Sequence, residues 1–356
     1  MGKVVIVTSP WSSSLQKVSR DIAQVFNEKK DELGITEATI SVTRQVNTSV
    51  YKDVDLTIVV MTFDPVYIRS FAFIVWWLRR QGKNAVLYTT TEGKILHAEE
   101  DQWMAKDLSA IANSEYTAEK LKAYGLRIDG IIYHGVDVDK IQSFKENREL
   151  IRESLGFSED DFVVGYIAGC YQRKGHDRFA QVVQDVTKKD PTIKFVVFTQ
   201  PKCAEVYGNS QNVITIPKFG STDEEEVYSL YHVFDLYAQA SLSEGFGLPV
   251  LEALSTGIPV VHVDYKPLSE ITDKDTSFRV RVRGLNYVRE QGAIKYELHL
   301  YNPHEFVDAI IQAKEAILKD REHYRQKAIE RARQFDIHKV YNSFIEIYKH
   351  GRIQDV

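Results

Sequence analysis

The 356-residue chain has only two cysteines, Cys170 and Cys203. Two cannot build a disulfide framework or a four-cysteine zinc site, and we read them as reduced thiols of a cytoplasmic protein. A basic excess is also missing, because 45 Lys and Arg stand against 50 Asp and Glu, a formal net charge of -5. Extended binding to nucleic acid draws on such an excess, so the balance argues against a nucleic-acid partner. No apolar run of interest reaches the ~20 residues that span a bilayer. The longest, Ser70 to Leu78, is followed by Arg79 and Arg80. It reads as a buried helix, the alternative being a helix lying on a membrane surface as a peripheral contact. Met1 to Val7 lack the features of a secretory signal. No Gly-x-Gly-x-x-Gly follows a strand, since Val250 stands where Gly245-Phe-Gly247 would need its third glycine. That removes a dinucleotide oxidoreductase. No Asp-x-Asp segment stands where a metal would be held, and the ten histidines show no ligand spacing, so neither metal nor cofactor is expected.

What is present is an ordinary soluble composition, 44% hydrophobic and 27% charged, in a chain long enough for two domains. Strand and helix alternate. Val4-Val-Ile-Val7 reads as a buried parallel strand, and Val18, Ile22, Val25 and Phe26 share a face of the helix that follows. Leu56 to Met61, Ala85 to Tyr88, Ala110 to Ala112 and Ile131 to Tyr133 continue the strands. A second series runs from Phe162-Val-Val-Gly-Tyr-Ile167 to Pro259-Val-Val-His-Val263. Alternation of this kind implies βαβ units and parallel sheets, an α/β class. The charged stretch Asp139 to Asp161 reads as a linker. It divides an N-terminal domain of 1–145 from a C-terminal one of 146–336, and a final helix covers 337–356. Residues 287–300 fit no part of this pattern and read as an insertion, in the form of a hairpin.

The strongest signal is Ser241-Leu-Ser-Glu-Gly-Phe-Gly-Leu-Pro-Val-Leu-Glu-Ala-Leu-Ser-Thr-Gly-Ile-Pro-Val-Val261. Gly245 and Gly247 let the backbone bend and approach a ligand. Pro249 suits a first helical turn, and Gly257 with Pro259 a helix stop. A strand, a glycine loop and a helix N-terminus aim backbone N–H groups at one point, where a diphosphate would sit. Glu244 on the loop and Glu252 on the helix could accept hydrogen bonds from sugar or ribose hydroxyls. Capping and helix-dipole roles would explain the carboxylates alone, but leave Gly-Phe-Gly unexplained.

This segment resembles the Glu-x7-Glu motif of retaining glycosyltransferases of family 4. The resemblance implies a GT-B fold, in which two Rossmann-like domains with parallel sheets face each other and a C-terminal helix crosses back to the first. It implies that Glu244 contacts the donor sugar and Glu252 the nucleotide ribose, with the backbone of Gly245, Phe246, Gly247 and Leu248 close to sugar and phosphate. The loop Gly165-Tyr-Ile-Ala-Gly-Cys-Tyr-Gln-Arg-Lys-Gly175 is similar to the family's loop ending in Lys-Gly. Lys174 would then neutralise the donor diphosphate as a point charge beside Gly169. The family usually carries an Arg where Cys170 stands, and Arg173 is the substitute within the same loop. Phe219 resembles the residue that borders the base. Asn113 to Leu121, His134 to Asp137 and Phe335 to His338 also match in outline.

The first domain departs most. Pro10-Trp-Ser-Ser-Ser14 replaces a glycine-rich loop, so Ser12 and Ser13 become candidates to meet an acceptor, an N-cap being the competing role. Glu92 stands where the family often has a histidine, and is a third acceptor-side candidate. The expected reaction moves a hexosyl group from a UDP- or GDP-sugar to an unknown acceptor (a glycan, lipid or protein), with retention and without metal. Lys174, Arg173 and the helix N-terminus would stabilise the leaving diphosphate. A GT-B sugar-nucleotide epimerase and a non-catalytic nucleotide-sugar-binding protein are the alternatives.

Overall fold

The computed structural model describes residues 2–44, 47–158, 160–290 and 292–351. The chain divides into two units. The first comprises Met1–Gly135, Tyr287–Tyr296 and Phe335–Val356, the second Val136–Asn286 and Glu297–Gln334.

In the first unit lie β1 (Gly2–Thr8), β2 (Ile35–Val42), β3 (Leu56–Thr62), β4 (Asn84–Thr90), the short β5 (Gly93–Ile95), β6 (Ser109–Ala112) and β7 (Arg127–Ile131). Six of them make one parallel sheet in the order β2-β1-β3-β4-β6-β7. The chain moves from β1 to one side, then returns to the other side at β3. The C-terminal ends of β1 and β3 therefore flank a topological switch point, where open α/β sheets bind ligands. The apolar run seen in the sequence is helix Pro65–Arg80, capped by Asp64 with proline at its first turn. It buries Ile68, Phe71, Ala72, Ile74, Val75 and Leu78 against Val59, Leu87 and Ala110 of the sheet. Among the described residues no helix is long and apolar enough to cross a membrane. Helix Ser13–Glu28 buries Val18, Ile22, Val25 and Phe26 on one face.

The second unit repeats the plan. It contains β8 (Phe162–Ile167), β9 (Ile193–Phe198), β10 (Val213–Ile216), β11 (Leu236–Gln239), β12 (Val260–Val263) and β13 (Ser277–Val280). Its sheet runs β10-β9-β8-β11-β12-β13, again parallel, with its switch point between β8 and β11.

Three sequence expectations need correction. Cys170 and Cys203 are not free thiols but form a disulfide, with Cα atoms 5.5 Å apart. The fold brings the loop after β8 beside the short helix Pro201–Ala204 after β9, which neither composition nor count reveals. The charged stretch 139–161 is not a bare linker but holds helices Val138–Gln142 and Arg148–Ser154, grouped with the second unit. Its arginines are anchored rather than solvated: Arg148 and Arg152 reach the buried Asp235 carboxylate at 3.0 and 3.3 Å, joined there by Arg321 at 2.8 Å. The insertion takes the expected hairpin form, β14 (Val282–Val288) and β15 (Ile294–Tyr301), and its Tyr287–Tyr296 portion groups with the first unit. There Ile294 pairs with Ile95 and Tyr296 with Gly93, antiparallel. The final helix is two, Ile337–Val340 and Asn342–His350, both in the first unit. Its expected extension over 352–356 lies outside the described residues.

Candidate active site

Two loops leave adjacent parallel strands at the switch point of the second unit, one after β8 and one after β11. They are stitched together by the Leu242 N–H, which donates to the Arg173 carbonyl at 2.8 Å. The Tyr166 hydroxyl on β8 holds the Lys174 carbonyl at 2.5 Å, so the basic turn is fixed from below as well. Gly247 opens helix Leu248–Ser255 at φ 109°, and a side chain there would also strike Leu268 at 2.7 Å. Glycine is therefore required both for the turn and for the packing behind it.

This geometry brings Lys174 and Glu244 together. The ammonium donates to Glu244 Oε1 at 2.5 Å, and both side chains are largely buried. Burial pushes the Glu244 carboxyl up, but Lys174, then Arg173, and the hydrogen bonds outweigh it and hold the group below its ordinary value. Glu244 is therefore an anion in a mostly water-free pocket, compensated by two neighbouring cations. Arg173 also lies over the Tyr171 ring, 5.0 Å from its centroid. Gly169 faces the Phe219 ring, which would be 3.2 Å from any added Cβ. Its carbonyl is bonded to His176 Nε2 at 3.0 Å, and burial lowers that imidazole's pKa. The neighbouring Cys170 N–H donates to Gln200 Oε1 at 2.7 Å, so side-chain bond and disulfide hold the same residue.

Glu252 sits one turn and a half into the helix, where the Tyr231 hydroxyl donates to its Oε2 at 2.9 Å. Sequence reasoning did not anticipate what joins the two glutamates. Tyr231 packs on Tyr237 with ring centroids 5.6 Å apart. The Tyr237 hydroxyl donates to Gln239 Oε1 at 2.9 Å, and the Gln239 amide donates to Glu244 Oε1 at 2.6 Å. Tyr237 and Gln239 are two apart on β11 and so share one face of the strand. A glutamine closing the otherwise apolar run Leu236-Tyr-Ala-Gln239 was the signal available in the sequence. Phe246 and Leu248 are buried beside the loop.

The acceptor-side candidates separate. Ser12 is the N-cap of helix Ser13–Glu28, its hydroxyl accepting from Leu15 N–H at 3.3 Å, and it lines a cavity in the first unit. Ser13 is the exposed first residue of that helix. Glu92 is half-buried between β4 and β5 and is not among that cavity's lining residues. Among the described residues no three His, Cys, Asp or Glu side chains gather where they could hold a metal ion.

Comparison with known proteins agrees with this geometry. A family model, glycosyl transferases group 1, matches residues 147–335, more than half of the chain. An uncharacterized glycosyltransferase of Sulfolobus islandicus rod-shaped virus 1 is 27% identical over 356 residues, covering 97% of this chain and 100% of the relative. The D-inositol 3-phosphate glycosyltransferase of Mycobacterium marinum is 28% identical over 167 residues, 42% of this chain and 34% of that protein. Among solved structures, a glycosyltransferase from Rickettsia africae superposes with a TM-score of 0.72 at 15% identity, covering 98% of both chains. Anabaena HepE, solved in complex with UDP and glucose, superposes with a TM-score of 0.66 at 16% identity, covering 97% of this chain and 99% of that one. With this fold, and with Lys174 and Glu244 joined on its two loops, the chain belongs to the glycosyl transferases group 1 and is a glycosyltransferase of GT-B fold.

Proposed function

We propose that the enzyme transfers a hexosyl group from a nucleotide sugar, a uridine-diphosphate sugar in the first instance, to a hydroxyl acceptor, with retention and without a metal ion. The observation that carries this reading is the buried Lys174–Glu244 pair at 2.5 Å, with Arg173 beside it, on loops that meet at the switch point. Anabaena HepE supports the choice of base, having been solved with UDP and with UDP-glucose.

In the reaction the bond between the anomeric carbon and the diphosphate oxygen breaks, and negative charge grows on the departing nucleoside diphosphate. Lys174 and Arg173 provide two fixed cations for that charge, so no divalent ion is needed to neutralise it. The acceptor hydroxyl bonds to the anomeric carbon from the face that the diphosphate leaves, and its proton passes to the leaving phosphate oxygen. Glu244 accepts hydrogen bonds from donor-sugar hydroxyls, and Glu252 from the ribose. Retention is inferred from the likeness of Glu244 and Glu252 to the Glu-x7-Glu motif.

Thermal unfolding against a panel of nucleoside diphosphates and nucleotide sugars tests the donor site. A ligand at ~100 times its dissociation constant adds about 2.7 kcal/mol to stability, a rise of a few degrees. UDP and one UDP-sugar are expected to stand out for the wild type and to fail with Glu252→Ala. A wild type that no nucleotide sugar stabilises would overturn the assignment.

A further inference from the structure

At the switch point of the first unit, between the C-terminal ends of β1 and β3, lies a cavity of about 670 Å³. This is within the ~300–1,000 Å³ range of small-molecule sites. The loop after β1 contributes Trp11 and Ser12, and the segment after β3 contributes Asp64 and Tyr67. The third wall, Glu290 and Tyr296, comes from the hairpin that the chain inserts into this unit some 230 residues later. Asp64 builds that wall. It caps helix Pro65–Arg80 through Val66 N–H at 3.0 Å, while the Ala293 N–H meets both its oxygens at 3.0 and 3.1 Å. Gly292, at φ 77°, lies so close to the Asp64 carboxylate that no side chain fits between them.

The lining has a definite chemistry. Trp11 is 58% exposed and Tyr67 44%, and their rings pack 6.3 Å apart at the cavity wall. Rings of this size left in water offer a flat apolar surface with a polar edge. Two carboxylates, Asp64 and Glu290, line the cavity, and no Lys or Arg does so among the described residues. Arg289, on the hairpin, acts on Asp64 and donates to the Gly292 carbonyl, and it is not among the lining residues. A phosphate or carboxylate ligand would meet like charge there without a partner. A pyranose ring fits both features, since its C–H face suits an aromatic plane and its hydroxyls donate to carboxylates.

We infer that this cavity binds the acceptor, and that the acceptor is an uncharged saccharide end rather than a phosphorylated or acidic sugar. The inference rests on the transferase reading above and deepens it to a substrate class. It also separates this chain from the D-inositol 3-phosphate glycosyltransferase that is similar to 42% of it.

The test is an array of immobilised uncharged, phosphorylated and uronic-acid-containing oligosaccharides, probed with the wild-type protein saturated with UDP. Uncharged members should be retained, Trp11→Ala should weaken that signal at least tenfold, and Glu290→Lys should admit acidic members. The thermal shift with UDP, measured on each sample, reports folding and the donor site separately. Preferred retention of phosphorylated or acidic saccharides, retention of none, or a Trp11→Ala signal equal to wild type would overturn the inference while a UDP shift is present. A missing UDP shift in the wild type would instead strike the donor reading.

Discussion

Lys174 and Glu244 are 70 residues apart in the chain and 2.5 Å apart in the fold. Two adjacent parallel strands create the contact, and the Gln239 amide at 2.6 Å completes it. The pair is costly to break on one side, because the survivor would be a buried charge without its partner. Lys174→Met should lower stability by about 3–5 kcal/mol. Lys174→Met combined with Glu244→Gln should recover much of that loss, yet neither variant should turn over. Urea unfolding beside a transfer assay checks this, and an active double variant would remove both residues from the proposed mechanism.

Tyr231→Phe deletes the donor to Glu252 Oε2 and leaves the ring in place. A hydrogen bond to a charged group contributes about 1.5–3 kcal/mol, so a loss of that size in stability is expected. With Glu252 less firmly held, UDP should bind about tenfold more weakly, a cost of about 1.4 kcal/mol. Isothermal titration with UDP checks it. Unchanged affinity would mean that Glu252 does not depend on Tyr231 for its orientation.

The disulfide anchors the loop that carries Arg173 and Lys174 to the segment after β9. Closing a loop with a sequence separation of 33 should stabilise the fold by about 3–4 kcal/mol on the chain-entropy account. Peptide mapping without reductant should find Cys170 linked to Cys203, and Cys170→Ser with Cys203→Ser should unfold earlier by that amount. Two titratable thiols in the unreduced, denatured protein would contradict the pairing.

Burial favours the neutral form of several imidazoles, and His134 and His262 are fully buried. Burial, and then the nearby Lys17, takes His134 down to about 3, and burial chiefly takes His262 down to about 4. The unfolded chain takes up these protons near pH 6.5, and the native state does so only at the lower values. Stability is therefore full above pH 6.5 and falls as the pH drops toward 4, by up to about 1.4 kcal/mol per unit for each histidine. His338 works against the trend: burial pulls it down, but Asp336 and Glu28 outweigh that and raise it, so its contribution is greatest in acid. Urea midpoints at pH 7 and 5 should differ, and His262→Asn should flatten the difference. A flat profile in the wild type would contradict the burial of neutral imidazoles.

Lys174 and Arg173 should make a divalent ion dispensable, so transfer should persist in excess chelator. Strict Mg²⁺ or Mn²⁺ dependence would show that these cations do not carry the leaving-group charge alone. NMR of the product should show the donor's anomeric configuration retained.

The sequence alone made legible what is local. Gly245, Gly247, Pro249 and Gly257 each set a backbone conformation within a few residues, so the loop and helix around Glu244 and Glu252 could be read without a neighbour in view. The buried strands β1, β3, β8 and β12 announced themselves through short apolar runs, and helix Pro65–Arg80 through its apolar length. Tertiary structure decided everything that depends on strand order. Only the adjacency of β8 and β11 joins Lys174 to Glu244, and only that of β8 and β9 brings Cys170 to Cys203. Strand β2 alternates too weakly, with a half-polar pattern, to stand out from a charged stretch. The Asp235 carboxylate turns an apparent linker into anchored helices by drawing in Arg148, Arg152 and Arg321. The hairpin reads as an orphan in the chain because its partners are Gly93–Ile95 and Asp64, about 200 residues earlier. Periodicity reports which face of an element is buried. It carries no information on which distant element does the burying, and that choice placed the charges around Glu244 and around Asp64.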